Sequence, residues 1–204
     1  MALPKLKSPA LVSVGDYLTR ERAAEERSEY LDGEIRAMAG ESPEHGDASA
    51  NLVVTVGIQL KKGPCRVRTK DTKVRSGPAL TAGETTRCLF SYPDVVVICE
   101  EPQYLDKFRD VVLNPKAIME VLSHSTEAFD RGEKFTRYQT WNESLTDYVL
   151  VSQDKPQIEH YSRQADGSWT YRLATGLGAS VSIPSIGCTL KLADVYDRVV
   201  FAEG

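Results

Sequence analysis

Glu120 stands inside the apolar run Ala117-Ile-Met-Glu-Val-Leu122. In a strand, alternation puts Ile118 and Leu122 on its own face and Met119 and Val121 on the other. Neither face is then the wet side of an amphipathic strand. A lone buried carboxylate costs several kcal/mol unless it is paired, protonated or bound to a cation. A structural salt bridge and a functional carboxylate both answer that cost. Asp94 repeats the pattern, because Pro93-Asp94 opens a Val-rich run in which Val96 and Ile98 share its face. Pro-Asp at that position also serves as a plain turn. If the two strands pair antiparallel with 94 opposite 120, both carboxylates lie on one face with Cβ atoms about 5 Å apart. Like charges at that distance repel, and a divalent cation is the simplest neutraliser. Magnesium is commonly held by one or two carboxylates plus water and phosphate oxygens, and such an ion activates water against a phosphodiester.

A cation near the attacked phosphate completes that chemistry. Asp130, Lys134 and Tyr138 follow at i, i+4 and i+8, one stripe of a helix expected from about residue 126 to 142. Phe135, Tyr138 and Trp141 form an apolar stripe that lets the helix fold back onto the strands and carry Lys134 towards the carboxylates. An ordinary surface ion pair between Asp130 and Lys134 is the plainer account. From Lys61 to Arg75 there are seven basic residues and one acid. Within it Arg66, Arg68 and Lys70 share one face of an expected strand and, with Lys73 and Arg75, are candidates for holding a nucleic-acid backbone. A solvated charged face explains them equally well.

These residues need elements to place them. Ser13 is positioned to cap a first helix running to about Glu26, and Asp32-Gly33 joins two short arms as a two-residue hairpin. A helix over 44–61 carries Leu52, Val53, Val56 and Leu60 on one stripe, with Gly63 as its stop. Strands are expected at Cys65–Lys70, 93–99, 117–122, 147–151, 157–161 and 169–173, with a polar loop over Ser76 to Thr86 and a long connection over 100–114. Three helices mixed with these strands predict an α/β or α+β chain built on one mixed sheet flanked by helices. Residues 1–12 read as an arm and 13–204 as a single domain.

Composition narrows the partners. The 204 residues carry a formal net charge of −4, which argues against coating nucleic acid or an anionic membrane by bulk charge but leaves a local basic surface open. The longest apolar run, Val95–Cys99, is far below the roughly 20 residues of a membrane span. No secretory h-region is visible, and four widely spaced cysteines without a CxxC pair read as reduced thiols in a cytoplasmic protein. No HExxH, GxSxG, P-loop or GxGxxG motif is present.

Glu29-Tyr-Leu-Asp-Gly-Glu34, His45 at a helix head, Pro93-Asp-Val-Val-Val97, and Met119-Glu-Val-Leu-Ser-His-Ser-Thr126 followed by Asp130-Arg-Gly-Glu-Lys134 and Tyr138 resemble the Uma-two family. That family is a branch of the PD-(D/E)XK, restriction-endonuclease-like superfamily, and the resemblance runs in order over roughly residues 13 to 199. It implies a mixed sheet flanked by helices and Mg²⁺-dependent endonuclease activity, with Mn²⁺ able to substitute. The expected substrate is DNA, with RNA as a further option. Mapped by motif, Asp94 and Glu120 are the metal ligands. The signature places a lysine two residues after the acid, where Leu122 stands here, so Lys134 must substitute from the helix. The literal match Asp71-Thr-Lys73 precedes the Pro-Asp instead of following it and reads as a decoy. Glu34, after the hairpin turn, is a candidate extra ligand or an exposed turn residue. His45 is a candidate to orient a carboxylate or contact phosphate, and Tyr138 reads as core. Cutters of this type often work as homodimers. The rival from another class is a binding protein that keeps the fold without catalysis.

Overall fold

The computed structural model describes residues 11–38, 40–80 and 87–201. Most of the expected N-terminal arm and the end of the Ser76–Thr86 loop lie outside them. Helix α1 (Val14–Ala23) is capped by the Ser13 hydroxyl, which accepts from the Asp16 amide. Strands β1 (Ser28–Leu31) and β2 (Glu34–Ala37) form the expected hairpin. Asp32 and Gly33 have φ of 50° and 98°, the left-handed pair of a type I′ turn. A Cβ on Gly33 would stand 2.8 Å from Leu11 Cβ, so this position requires glycine.

Helix α2 (Pro43–Leu60) has Pro at its first turn and Ser42 as its cap. It ends through Lys61 and Lys62, and Lys62 rather than Gly63 takes the positive φ, at 76°. β3 (Arg66–Thr69), β4 (Lys73–Ser76), β5 (Leu89–Ser91), β6 (Val95–Ile98), the two-residue β7 (Val111–Val112) and β8 (Ala117–Leu122) follow. The next helical stretch consists of α3 (Glu127–Phe129), a π-helical turn at Asp130–Lys134 and α4 (Phe135–Trp141). β9 (Asp147–Ser152), β10 (Gln157–Arg163) and β11 (Trp169–Thr175) then build a meander. β12 (Ser180–Ile183), β13 (Cys188–Lys191) and α5 (Leu192–Val195) close the chain.

Where one sheet is expected, the structure divides the strands. A six-stranded mixed sheet runs β11-β10-β9-β8-β6-β3, a five-stranded one runs β2-β1-β5-β4-β7, and β12 pairs with β13 alone. The central strands of the large sheet are buried on both faces, which is why β6, β8 and β9 read as continuous apolar runs. One face packs on Leu52, Val56 and Leu60 of α2 and on the β12–β13 hairpin. The other meets Phe135 and Tyr138 of α4 and Leu31, Val74 and Leu89 of the smaller sheet. α1 covers the far side of the smaller sheet through Tyr17, packed with Tyr30 and Phe90. Trp141 is not part of the expected stripe and is 46% exposed. The steps from Phe135 to Tyr138 to Trp141 rotate steadily around the helix, and the third residue has left the buried face.

The expectation of four reduced thiols does not match the structure either. Cys65 and Cys99 are joined as a disulfide across β3 and β6, and Cys88 and Cys188 are free and buried. Register explains the meeting: Arg66 pairs with Ile98, so the next residues outward face one another. Among the described residues no helix is long and apolar enough to cross a membrane.

Candidate active site

β6 and β8 run antiparallel with Val95 opposite Met119 and Val96 opposite Ile118. One step further brings Asp94 level with Glu120, on the face they share with Val96, Ile98, Ile118 and Leu122. Both are nearly inaccessible, at 7% and 4% exposure. Asp94 Oδ2 accepts a 2.7 Å hydrogen bond from the Val121 amide, tying the head of β6 to β8. His45 Nε2 lies 3.5 Å from the same oxygen, and Nδ1 lies 3.3 Å from Glu41 Oε2. The Ser42 cap holds this ring in place by accepting from the His45 amide at 3.2 Å. His45 therefore stands beside a carboxylate, one of the two roles considered for it.

The π-helical turn brings Lys134 over the same centre. Its Nζ lies 3.1 Å from Glu120 Oε1, 2.7 Å from Asp130 Oδ1 and 3.6 Å from Glu29 Oε1. A surface ion pair does not describe this lysine, which is 5% exposed. Burial disfavours the ammonium, but Glu120, Glu29 and Asp130 outweigh it and hold the Lys134 pKa well above its ordinary value. The carboxylates move the other way. Burial raises Asp94 despite His45 and the Val121 amide. Burial pushes Glu120 up to about 8, opposed by Lys134 and assisted by Asp130, Asp94 and Glu29. Tyr138 is core, as read, with its hydroxyl 2.7 Å from Ser91 Oγ.

These groups line one wall of a cleft of about 950 Å³. The four carboxylates of Glu29, Asp94, Glu120 and Asp130 face one lysine there, an excess of acid that favours a bound cation. Glu120 Oε1 and Asp130 Oδ1 touch Lys134 as ions, yet neither buried atom has a hydrogen bond of good geometry. Hard carboxylate oxygens of this kind are the donors that magnesium takes. Among the described residues, no group of three or more His, Cys, Asp or Glu side chains is arranged as a ready-made metal cage. A site of two protein carboxylates completed by water and substrate fits that geometry.

Other candidates lie elsewhere. Glu34 is exposed, stands 3.7 Å from Arg36 and does not line the cleft. The acid this hairpin sends to the centre is Glu29, on the neighbouring strand and missed in the sequence although it begins the quoted motif. The sequence shows Asp130 as a helix partner of Lys134, and the structure adds it to the cleft wall. Arg66 and Arg68 are exposed on β3, and Lys70 lies at the cleft, paired with Glu41. Lys73 and Arg75 do not continue that face. They sit in β4 of the smaller sheet at 2% and 8% exposure. Lys73 lies between the rings of Tyr17 and Tyr92, 3.8 Å from Asp110, and Arg75 donates to the carbonyls of Gly77 and Pro78. The literal Asp71-Thr-Lys73 match is thus split, with Asp71 on the surface beside Arg27.

A mixed sheet carrying paired acids on adjacent strands, with a lysine delivered from the following helix, defines a nuclease-like fold. A crystal structure from Anabaena variabilis ATCC 29413, described as "a putative nuclease belonging to DUF820", shares it with a TM-score of 0.70. That match covers 93% of this chain and 99% of the other at 16% identity. Residues 14–193 match the family Uma2, described as "Putative restriction endonuclease", and the chain belongs to that family. Two uncharacterized Synechocystis proteins (strain ATCC 27184 / PCC 6803 / Kazusa) are similar along most of their length. The protein sll1609 is 33% identical over 84% of this chain and 92% of its own, and slr1290 is 34% identical over 97% of each.

Proposed function

We propose that the protein is an endonuclease that hydrolyses phosphodiester bonds in DNA with Mg²⁺ as cofactor and Mn²⁺ as a working substitute. The observation that carries this reading is the alignment of Asp94 and Glu120 on adjacent strands with Lys134 Nζ 3.1 Å from Glu120. Asp94 and Glu120 would hold the ion, which when bound supplies Lewis-acid activation of water and offsets phosphate charge. The Val121 amide and His45 fix one oxygen of Asp94 and leave its other oxygen for the ligand. Lys134 offsets the negative charge that grows on the phosphoryl oxygens or positions the attacking water. Asp130 and Glu29 keep its ammonium charged and pointed at the reacting centre.

The test is cleavage of plasmid DNA, single-stranded DNA and RNA with Mg²⁺ or Mn²⁺ by wild type, Glu120→Gln and Lys134→Ala. Wild type should cut, and each variant should lose on the order of 100-fold or more, the scale of removing one pre-organised charge-stabilising group. Equal traces of nicking by all three proteins would sink the reading.

A further inference from the structure

Register places the basic strand on the catalytic side of the sheet. Arg66 pairs with Ile98 and Arg68 with Val96, so both arginines share the face that carries Asp94 and Glu120. The ladder ends with Thr69 opposite Val95, and Lys70 begins the turn that follows. β3 therefore ends beside the head of β6, and Lys70 lines the same cleft as Asp94 and Glu120. β3 is the outer strand of the large sheet, and Arg66 and Arg68 are exposed there. Among the described residues neither guanidinium has an ion-pair partner, whereas Arg27, the arginine lining the cleft, is paired with Asp71. Lys61 and Lys62 precede the strand, both exposed.

We propose that the substrate is a single nucleic-acid strand, led along β3 into the cleft, an inference that rests on the nuclease reading above. Alternate residues on a strand are about 6.6 Å apart, close to the reach of one extended nucleotide, so Arg66 and Arg68 can take successive phosphates of one strand. Past Lys70 the surface turns acidic. Arg27 donates to the Lys70 carbonyl and pairs with Asp71, and the exposed Glu25 and Glu26 beside it line the cleft rim. A stiff duplex following β3 would carry its phosphates onto those carboxylates. A single strand can turn instead towards Asp94 and Glu120. The shared chemistry is an unpaired strand, and separate DNA and RNA arms identify the sugar.

The experiment measures fluorescence anisotropy of labelled single-stranded DNA, single-stranded RNA of the same sequence and duplex DNA. It uses Glu120→Gln and wild type in EDTA over a salt series, with cleavage by wild type in Mg²⁺ recorded alongside. One of the single strands should bind at least about tenfold more tightly than the duplex. Arg66→Ala with Arg68→Ala should flatten its log–log salt dependence by about 1.4, two phosphate contacts at about 0.7 each. Duplex binding within tenfold of the tighter single strand, or an unchanged salt slope in the double variant, would overturn the inference. Single-strand binding without cleavage by wild type would refute the nuclease reading alone. Duplex cleavage as fast as single-strand cleavage would refute this inference and leave that reading standing.

Discussion

Lys134 sits among three carboxylates, and its removal leaves them facing one another in a buried place. Breaking a buried charge cluster from one side typically costs about 3–5 kcal/mol. Lys134→Met should therefore lower the stability of the metal-free protein by about that amount in urea titrations, and added Mg²⁺ should recover more of the loss than it adds to wild type. A loss below about 1 kcal/mol would place Lys134 among solvent-screened pairs. A second residue-scale prediction concerns Asp147 at the start of β9. Burial alone would raise its pKa, but hydrogen bonds from His160, Ser185 and Thr146 outweigh it, and the net shift is downward from 3.8. An acid lowered on folding contributes stability above its unfolded value and loses it as pH falls through the folded one. Asp147→Asn should then be less stable than wild type at neutral pH, with the gap closing below about pH 4. Thermal midpoints across pH 2–7 would show it, and a constant gap would count against the assignment.

At the scale of elements, caps and turns decide where the chemistry points. Ser42→Ala removes the acceptor for the His45 amide and should cost about 1 kcal/mol in helix stability. Because the same cap aims His45 at Asp94, its Mg²⁺ requirement for cleavage should also rise, which a cap with no bearing on the site would not produce. The π-helical turn at Asp130–Lys134 holds one residue more than an α-helical turn would. Deleting Gly132, at whose position an added Cβ would meet nothing within 4 Å, should restore α-helical winding and rotate the preceding acid by about 100° relative to Lys134. Helix content by circular dichroism should persist while cleavage falls to the level of Lys134→Ala. The hairpin and the α2 cap were legible in the sequence because Asp-Gly, and Ser before Pro, act on their own neighbours. The π-helical turn was not, because the spacing of Asp130 and Lys134 fits an α-helix equally well and only packing against the sheet selects the wider turn.

On the scale of the whole molecule, stretches far apart in sequence meet at the cleft, among them β1, the head of α2, the head of β6, the end of β8 and the π-helical turn. A ligand that binds there binds the folded chain and not the unfolded one. Mg²⁺ at a hundred times its Kd should stabilise the fold by about 2.7 kcal/mol. At 2–4 °C per kcal/mol for a chain of this size, that is a rise of about 5–11 °C in Tm. Asp94→Asn and Glu120→Gln should lose the rise, and a rise that survives in both would move the ion elsewhere.

The sequence alone marked the hairpin and six further strands, because alternation and turn chemistry act between neighbours, and it allowed the 94–120 alignment as one possible register. β4, β5, β7 and the β12–β13 pair, and the choice of register, came from the assembled sheets. It also marked Glu120 as a carboxylate that needs a partner. What lay beyond it is whatever depends on which face meets which layer. Lys73 and Arg66 are both cations in short strands of one basic segment, yet β4 joins the smaller sheet and buries its lysine between tyrosines, while β3 edges the larger sheet and leaves its arginines exposed. Glu29 and Glu34 share one hairpin, and only the packing of β1 against β5 sends the first to the site. Side-chain burial is a property of the assembled layers, so the tertiary structure alone could divide the charges between core, cleft and surface.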